Sequence, residues 1–501
     1  MELRMTRQVE IDESAIANAN FSLKSRDDIP KILRGLQHIY MTKSLRELIF
    51  GLLESKILPE VDHQNGRPGM ALWKIFVMGV LRLDLNCDYD RLHELVNHHD
   101  TLRQILGHSD ACDKSEYHFQ TIKDNVCLLT PSLLAEINEL IVKAGHTLLS
   151  KKKGNEALRG RCDSFVVETN VHYPTDISLL YDAMRKVIEL TASLSIKQGL
   201  SDWRQSKYNV RQIKRQVRLT QNKKRIFGRT GTQKLASETA MKESHATLLT
   251  LSEQFLKRSE LTVTKIGGLP SLRTSDLLQI EHINFFVAHA VRQIQQIRRR
   301  VLDGEIIPHA EKVFSLFEPQ TEWISKGKVG VPFELGLRVC VMEDQHQFIL
   351  HHQVMEKETD DQIAVSMVEK TKKPFPKLLS CSFDRGFHSA NNQIALSEHL
   401  DVVALKRKGK LSEKARAIEH SEPFKRAAHK HSAIESAINA LEVHGLDKCR
   451  DHGIDGFKRY VGLAIVARNI HRIGTLLHQR EEAKLAHKNK CYRKKRLLLA
   501  A

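Results

Sequence analysis

Three acidic residues, far apart in the chain, lie in local patterns that could deliver them to one place. Asp384 ends the apolar run Leu378-Leu379-Ser380-Cys381-Ser382-Phe383, and Gly386 then lets the chain bend sharply away. Asp163 precedes Ser164-Phe165-Val166-Val167, a run of β-formers. Glu435 lies in Ser432-Ala433-Ile434-Glu435-Ser436-Ala437-Ile438, whose apolar spacing is helical. Carboxylates are hard oxygen donors. If these converge, they suit a pair of Mg²⁺ ions roughly 3.5–4 Å apart, with Mn²⁺ as a substitute. Such a pair activates the attacking oxygen and stabilises the leaving one in phosphoryl transfer. In the absence of metal the carboxylates repel one another and one pKa rises.

Each acid also has a plainer reading. Asp384-Arg385-Gly386 has the composition of a simple turn. Asp163 could be a surface acid at a strand's start, with Glu168 as a rival ligand. Ser432-x-x-Glu435 fits a capping box, in which the Glu serves its own helix.

The elements around them read as follows. Residues to about 150 are helical: Leu45, Leu48, Ile49, Leu52 and Leu53 share one face, and an apolar helix covers 70–83 after the turn Gly66-Arg67-Pro68-Gly69. Asp88 or Asp90 caps the next helix, and Thr130-Pro131 opens another that runs to about Leu149. Lys151-Lys152-Lys153-Gly154-Asn155 is a basic joint before the Asp163 strand. Residues 177–300 are helical. After Lys326-Gly327-Lys328, a hairpin turns at Glu343-Asp344-Gln345-His346, a helix starts at Asp360, and the Asp384 strand follows. Asp401 to Leu405 is a further strand, and the last apolar helix runs from Tyr460 to about Leu477. With the helical interruption removed, three antiparallel strands precede two in crossover connections. That order predicts an RNase H-like mixed sheet flanked by helices.

The predicted organisation is a helical N-terminal DNA-binding region (1–150), an α/β catalytic domain (151–176 and 321–480), a basic helical insertion between its first and second strands (177–320) and a basic, frayed tail (481–501).

Charge adds a second signal. Lys and Arg number 78 against 60 Asp and Glu, an excess that favours a polyanionic partner. Between Trp203 and Ser237 there is no acid, and Lys207, Arg211, Lys214, Arg215 and Arg218 recur at three- and four-residue steps. Val210, Ile213 and Val217 line another face. The basic stripe reads either as a DNA-backbone contact or as a solvated or internally paired face. Lys406, Lys408 and Lys410 form a smaller basic group after the 401–405 strand. The eight cysteines show no C-x-x-C pair, which argues against zinc fingers and disulfide frameworks. The lack of a long apolar run and of a signal-peptide pattern predicts a cytoplasmic protein, nucleoid-associated when bound to DNA, with no membrane partner.

Several blocks together resemble DDE transposases of bacterial insertion sequences, the ISNCY-type group. They are Cys162 to Asn170 with His172-Tyr173-Pro174-Thr175-Asp176; Phe317-Glu318-Pro319 to Lys328; Ser382 to Ser389; His431 to Asn439; Gly445-Leu446-Asp447-Lys448-Cys449; and Ala467-Arg468-Asn469. The resemblance implies a metal-dependent transposase with Asp163, Asp384 and Glu435 as its ligands. It also implies binding to terminal inverted repeats and target DNA by a homodimer or a larger synaptic assembly. Two departures stand out. Glu442 occupies the position, seven residues after Glu435, where many relatives carry a phosphate-holding cation, and Lys406, Lys408 or Lys410 would have to substitute. The insertion also falls between the first two strands, so no base-flipping role passes to Trp203 or Trp323, which read as packing residues. The competing functions are a catalytically inactive DNA-binding repressor and a host nuclease on the same fold.

Overall fold

The computed structural model describes residues 13–57, 69–108, 115–149, 156–224, 230–270, 272–325, 332–409 and 411–499. The turn at 66–68, the basic joint at 151–155, Lys326-Gly327-Lys328 and Lys410 lie outside the described residues. The chain divides into two compact units, Met1–Asn170 with Glu322–Ala501, and Val171–Thr321.

Among the described residues the first unit begins with eight helices: α1 (Glu13–Asn18), α2 (Ile29–Met41), α3 (Lys43–Ile57), α4 (Leu72–Asp84), α5 (Tyr89–His98), α6 (Asp100–Ile105), α7 (Phe119–Val126) and α8 (Pro131–Leu148). Capping chemistry sets several boundaries. Asp88, rather than Asp90, accepts from the Arg91 N–H at the start of α5, and Thr130 accepts from the Leu133 N–H ahead of Pro131. On α3 the buried stripe is Leu45, Ile49 and Leu53, whereas Leu48, expected on the same face, is 56% exposed. Strand β1 (Leu158–Thr169) starts five residues before Asp163, earlier than the β-former run suggests.

The second unit holds α9 (Asp176–Lys197), α10 (Ser206–Lys224), α11 (Gly231–Gly267) and α12 (Thr274–Ile297). Its core includes Leu180, Met184, Ile188, Leu248 and Ile297. Trp203 is buried there, its indole N–H donating to Thr262 Oγ1 at 3.0 Å, in a packing role.

The first unit resumes with β2 (Glu322–Ser325), β3 (Phe333–Glu343), β4 (Ile349–Met355), α13 (Asp360–Lys372), β5 (Leu378–Phe383), α14 (Ala390–His399) and β6 (Val402–Leu405). Then come α15 (Glu413–Glu419), α16 (Glu422–His431), α17 (Ala433–Leu441), β7 (Lys448–Cys449) and α18 (Gly453–Leu499). The expected frayed tail is instead the continuation of α18, which extends well beyond the apolar segment ending near Leu477.

These strands make one mixed seven-stranded sheet flanked by helices. β3 pairs antiparallel with β1 along one edge, Asp163 opposite Val341, and with β4 and β2 along the other. β5 and β7 run parallel to β1, and β6 runs parallel to β5. Trp323 on β2 stacks on Phe333, ring centroids 3.8 Å apart.

The N-terminal helices have no separate core. Ile32, Phe76, Ile137, Val339, Leu378 and Ile465 belong to one continuous buried cluster that spans helices and sheet. Two buried amides tie α8 and α18 to the start of β4: Asn138 Nδ2 and Asn469 Nδ2 donate to the Ile349 carbonyl at 3.0 and 2.9 Å, and Asn469 Oδ1 accepts from its N–H at 2.9 Å. Backbone groups buried this deeply need such partners, so these contacts fix both helices against the sheet. Among the described residues no single helix is long and apolar enough to cross a membrane.

Candidate functional site

Asp163 and Asp384 meet because β1 and β5 are adjacent and parallel. Cys162 pairs with Phe383, so the residues that follow each are neighbours at one level of the sheet. The strand β5 ends at Phe383, and Arg385–Phe387 turns tightly, with Asp384 Oδ2 accepting from the Gly386 N–H at 3.4 Å. The turn reading of Asp384 is therefore true as geometry, yet it leaves the carboxylate exposed at the strand end. Asp163 is partly buried on β1 and its Oδ1 accepts from the Ser164 N–H at 2.8 Å.

Glu435 arrives from α17, which packs on β1. The capping box expected from Ser432 and Glu435 does not form. Ser432 has helical backbone angles (φ −55°, ψ −19°), joins α16 directly to α17, and makes no side-chain cap bond. Its hydroxyl donates backwards to the His429 carbonyl at 3.4 Å. The Glu435 carboxylate is left exposed and free of that duty.

A fourth carboxylate joins them. Asp360, the first residue of α13, accepts from Ser164 Oγ at 2.6 Å across the sheet. A methyl group built on Gly386 would lie 3.1 Å from Asp360 Oδ2 and 3.6 Å from Asp384 Oδ2, so both carboxylates crowd one glycine. Sequence reasoning missed Asp360 because an acid in a first helical turn has a sufficient local explanation in the helix dipole. The available signal was Ser164, a hydroxyl placed directly beside Asp163 and just before the apolar run Phe165-Val166-Val167.

The electrostatics express this crowding. Burial, first, and then Asp384, Asp360 and Glu435 together push Asp163 up to about 6 from an ordinary value of 3.8. The one opposing influence among the main contributors is the Ser164 N–H; no Lys or Arg figures among them. His431, in the last turn of α16, stands beside the group with Nδ1 3.1 Å from Ser382 Oγ. Burial lowers its proton affinity, while Asp384 and Glu435 raise it.

Glu168, the rival ligand, is not part of this cluster. It lies five residues further along β1, opposite Gly336 and beside Lys448, roughly 16 Å from Asp163.

The predicted cations divide. Lys406 and Lys408 follow β6, both exposed; Lys408 Nζ donates to the Gly386 carbonyl at 3.1 Å, and Lys406 acts on His431. Lys207, Arg211, Lys214, Arg215 and Arg218 belong to α10 in the other unit, where all five are exposed. None of them makes an ion pair with another described residue, so internal pairing does not account for the stripe. Arg211, Lys214, Arg215 and Arg218 line an open hollow of about 250 Å³ with Leu219, while Ile213 and Val217 are buried on the opposite side.

The donor set of the carboxylate cluster suits a hard divalent cation. It offers oxygen ligands, more than one negative charge and a partly open position, which is what Mg²⁺ or Mn²⁺ accepts while retaining waters. No protein-family model, curated protein or solved structure matches the chain.

Proposed function

We propose that this chain is a metal-dependent DNA-cleaving and strand-transferring enzyme of the DDE transposase type, built on an RNase H-like core. The observation that carries the reading is the convergence of Asp163, Asp384 and Glu435, with Asp360, where β5 ends beside the middle of the parallel strand β1. The strand order supports it: three antiparallel strands (β1, β3, β4) followed by two that run parallel to the first (β5, β6).

In this reading Asp163, Asp384 and Glu435 hold two Mg²⁺ ions, for which Mn²⁺ can substitute. When bound, the ions supply Lewis acidity to the scissile phosphate and a nucleophilic oxygen at neutral pH. The protein's own part is positioning. Ser164 orients Asp360, the Gly386 turn aims Asp384, and the buried backbone around Asp163 keeps that carboxylate fixed. Lys406 and Lys408 are suited to a strand phosphate passing beside the cluster, in place of the cation absent at Glu442. The basic face of α10 is suited to further backbone contacts, which carry affinity without sequence choice. The substrates are the terminal inverted repeats of the element and then target DNA, engaged by a homodimer or larger assembly.

The test is cleavage and joining of DNA carrying the repeats that bracket the reading frame, with Mg²⁺ or Mn²⁺. Wild-type protein should cut at the repeat end and join the resulting 3′-hydroxyl to target DNA. Asp384→Asn should bind the same DNA and lose cleavage by about a thousandfold or more, the several kcal/mol that metal positioning supplies. Binding without cleavage by the wild type would identify a repressor. Cutting without joining or repeat preference would identify a nuclease. Parallel loss of binding and cleavage in Asp384→Asn would make that residue structural.

A further inference from the structure

A second group of metal-binding side chains lies inside the first unit, apart from the carboxylate cluster. Asp84 ends α4, His444 sits in the turn Glu442–Leu446 that closes α17, and His471 lies within α18. The Asp84 side chain is fully buried, and those of His444 and His471 are 8% and 7% exposed. One ligand atom from each lies within 4.8 Å of the other two. His471 Nδ1 is 3.0 Å and His444 Nδ1 3.9 Å from Asp84 Oδ1. Donors around a tetrahedral zinc ion, with bonds of about 2.0–2.1 Å, stand roughly 3.3 Å apart, between those two separations.

The turn that carries His444 is fixed in place: Gly445 has φ +102°, and a side chain there would meet Tyr460 Oη at 3.0 Å and Asn86 Oδ1 at 3.2 Å. Only glycine adopts that backbone freely. The Asp84 carboxylate faces the imidazoles, with His471 Nδ1 3.0 and 3.2 Å from its two oxygens. Arg468 senses it together with Glu343 and Asp28, so one guanidinium is divided among three carboxylates. Beyond His471, Nε2 lies 3.9 Å from Asp28 Oδ1, close enough for a charge contact and too far for a hydrogen bond.

We propose that Asp84, His444 and His471 form a zinc site with three protein ligands and water in the fourth position. Two imidazoles and a carboxylate suit zinc, whereas Mg²⁺ takes oxygen donors. Binding would displace two hydrogen bonds, that of His471 Nδ1 with the Asp84 carboxylate and that which His444 Nδ1 donates to the Asp84 backbone carbonyl. The ion would then tie the end of α17, nine residues after Glu435, to α4 and α18. The inference does not depend on the proposed enzymatic function.

The experiment uses the full chain without a histidine tag, loaded with zinc, passed over a moderate chelator and assayed for metal content. About one zinc per chain should remain. It should persist in the triple variant Asp163→Asn, Asp384→Asn, Glu435→Gln, and fall roughly tenfold or more in His444→Gln with His471→Gln. Cobalt bound to the wild type should give the intense visible bands of a tetrahedral ion, a readout that does not require the variants to fold. A wild type that keeps only traces of zinc, a histidine double variant that keeps its zinc, or cobalt with weak octahedral bands would each overturn the site and leave a hydrogen-bonded cluster. Zinc lost from the triple variant would also overturn it, by moving the metal to the carboxylates.

Discussion

The acidic cluster at β1, β5 and α17 and the basic face of α10 belong to different units and have opposite sign, yet they share one property. Neither has its charge answered by ion pairs among the described residues. Elsewhere both units hold close ion pairs. In the first, Arg161 meets Glu343 at 2.8 Å, and Asp451 meets Arg82 at 2.6 Å and Arg459 at 3.1 Å. In the second, Arg299 bridges Glu305 and Glu311 at 2.7 Å each, and Arg300 reaches Asp176 at 2.8 Å. Two like-charged groups left uncompensated in this way keep their repulsion unless something outside the chain answers it, which is the ground for the partners proposed above. The partners proposed for them match in chemistry: small hard cations for clustered carboxylates, a line of phosphates for a helical row of guanidinium and ammonium groups.

The largest effect that would break this comparison concerns α10. Replacing Arg211, Lys214, Arg215 and Arg218 with Gln should weaken DNA binding and reduce the slope of log affinity against log salt by roughly 4, since each phosphate contact contributes about 0.9. Fluorescence anisotropy across a salt series measures it. An unchanged slope would return the stripe to a solvated face and leave the acidic cluster alone in need of a partner.

The acidic half makes a smaller, pH-dependent prediction. The folded protein holds a proton on Asp163 up to about pH 6, whereas an ordinary aspartate releases it near 3.8. The folded state therefore binds more protons between those values, stability falls as pH rises through that window, and the full penalty is present above about pH 6. Asp163→Asn should stabilise the metal-free protein at pH 7.5 by roughly 1–3 kcal/mol, an advantage that shrinks as pH falls towards 4. Added Mg²⁺ should stabilise the wild type and not the variant. Asp360→Asn, which keeps an acceptor for Ser164, should lower the midpoint of that pH dependence and weaken Mg²⁺ about tenfold. Denaturant titrations at several pH values would decide; equal curves for wild type and Asp163→Asn would show that the carboxylates do not strain the fold.

What could be read without coordinates was local. Thr130-Pro131 announces a helix because a capping oxygen and a fixed φ act within four residues, and Asp384-Arg385-Gly386 announces a chain reversal for the same reason. The strands around Asp163 and Asp384 were legible from runs of β-formers, and their order gave the mixed sheet. Long-range facts were hidden. Asp360 is a first-turn acid until Ser164 is found across the sheet. Strands β2 and β7 are too short to show a period. The polar half of α18 has no apolar stripe to advertise it, and nothing in residues 13–148 says that their core continues into β3 and α18. Leu48 fits the helical stripe by spacing, but the packed face of α3 is narrower than that stripe.

The smallest prediction separates Glu435 as ligand from Glu435 as cap. At Thr130 the hydroxyl accepts a first-turn N–H, and Thr130→Ala should cost about 1 kcal/mol. At Ser432 the hydroxyl points back to His429, so Ser432→Ala should cost less than about 0.5 kcal/mol and leave DNA cleavage unchanged. Glu435→Gln should likewise leave stability in metal-free buffer nearly unaltered while removing cleavage. Thermal melts of the three variants compare the ends of α8 and α17 directly. If Ser432→Ala falls as far as Thr130→Ala, the box closes in solution, Glu435 is engaged by its own helix, and the acidic cluster keeps only Asp163, Asp360 and Asp384. A cluster so reduced, all of it on or beside the sheet, could still attract one cation but would lack the helix-borne ligand that a second ion needs.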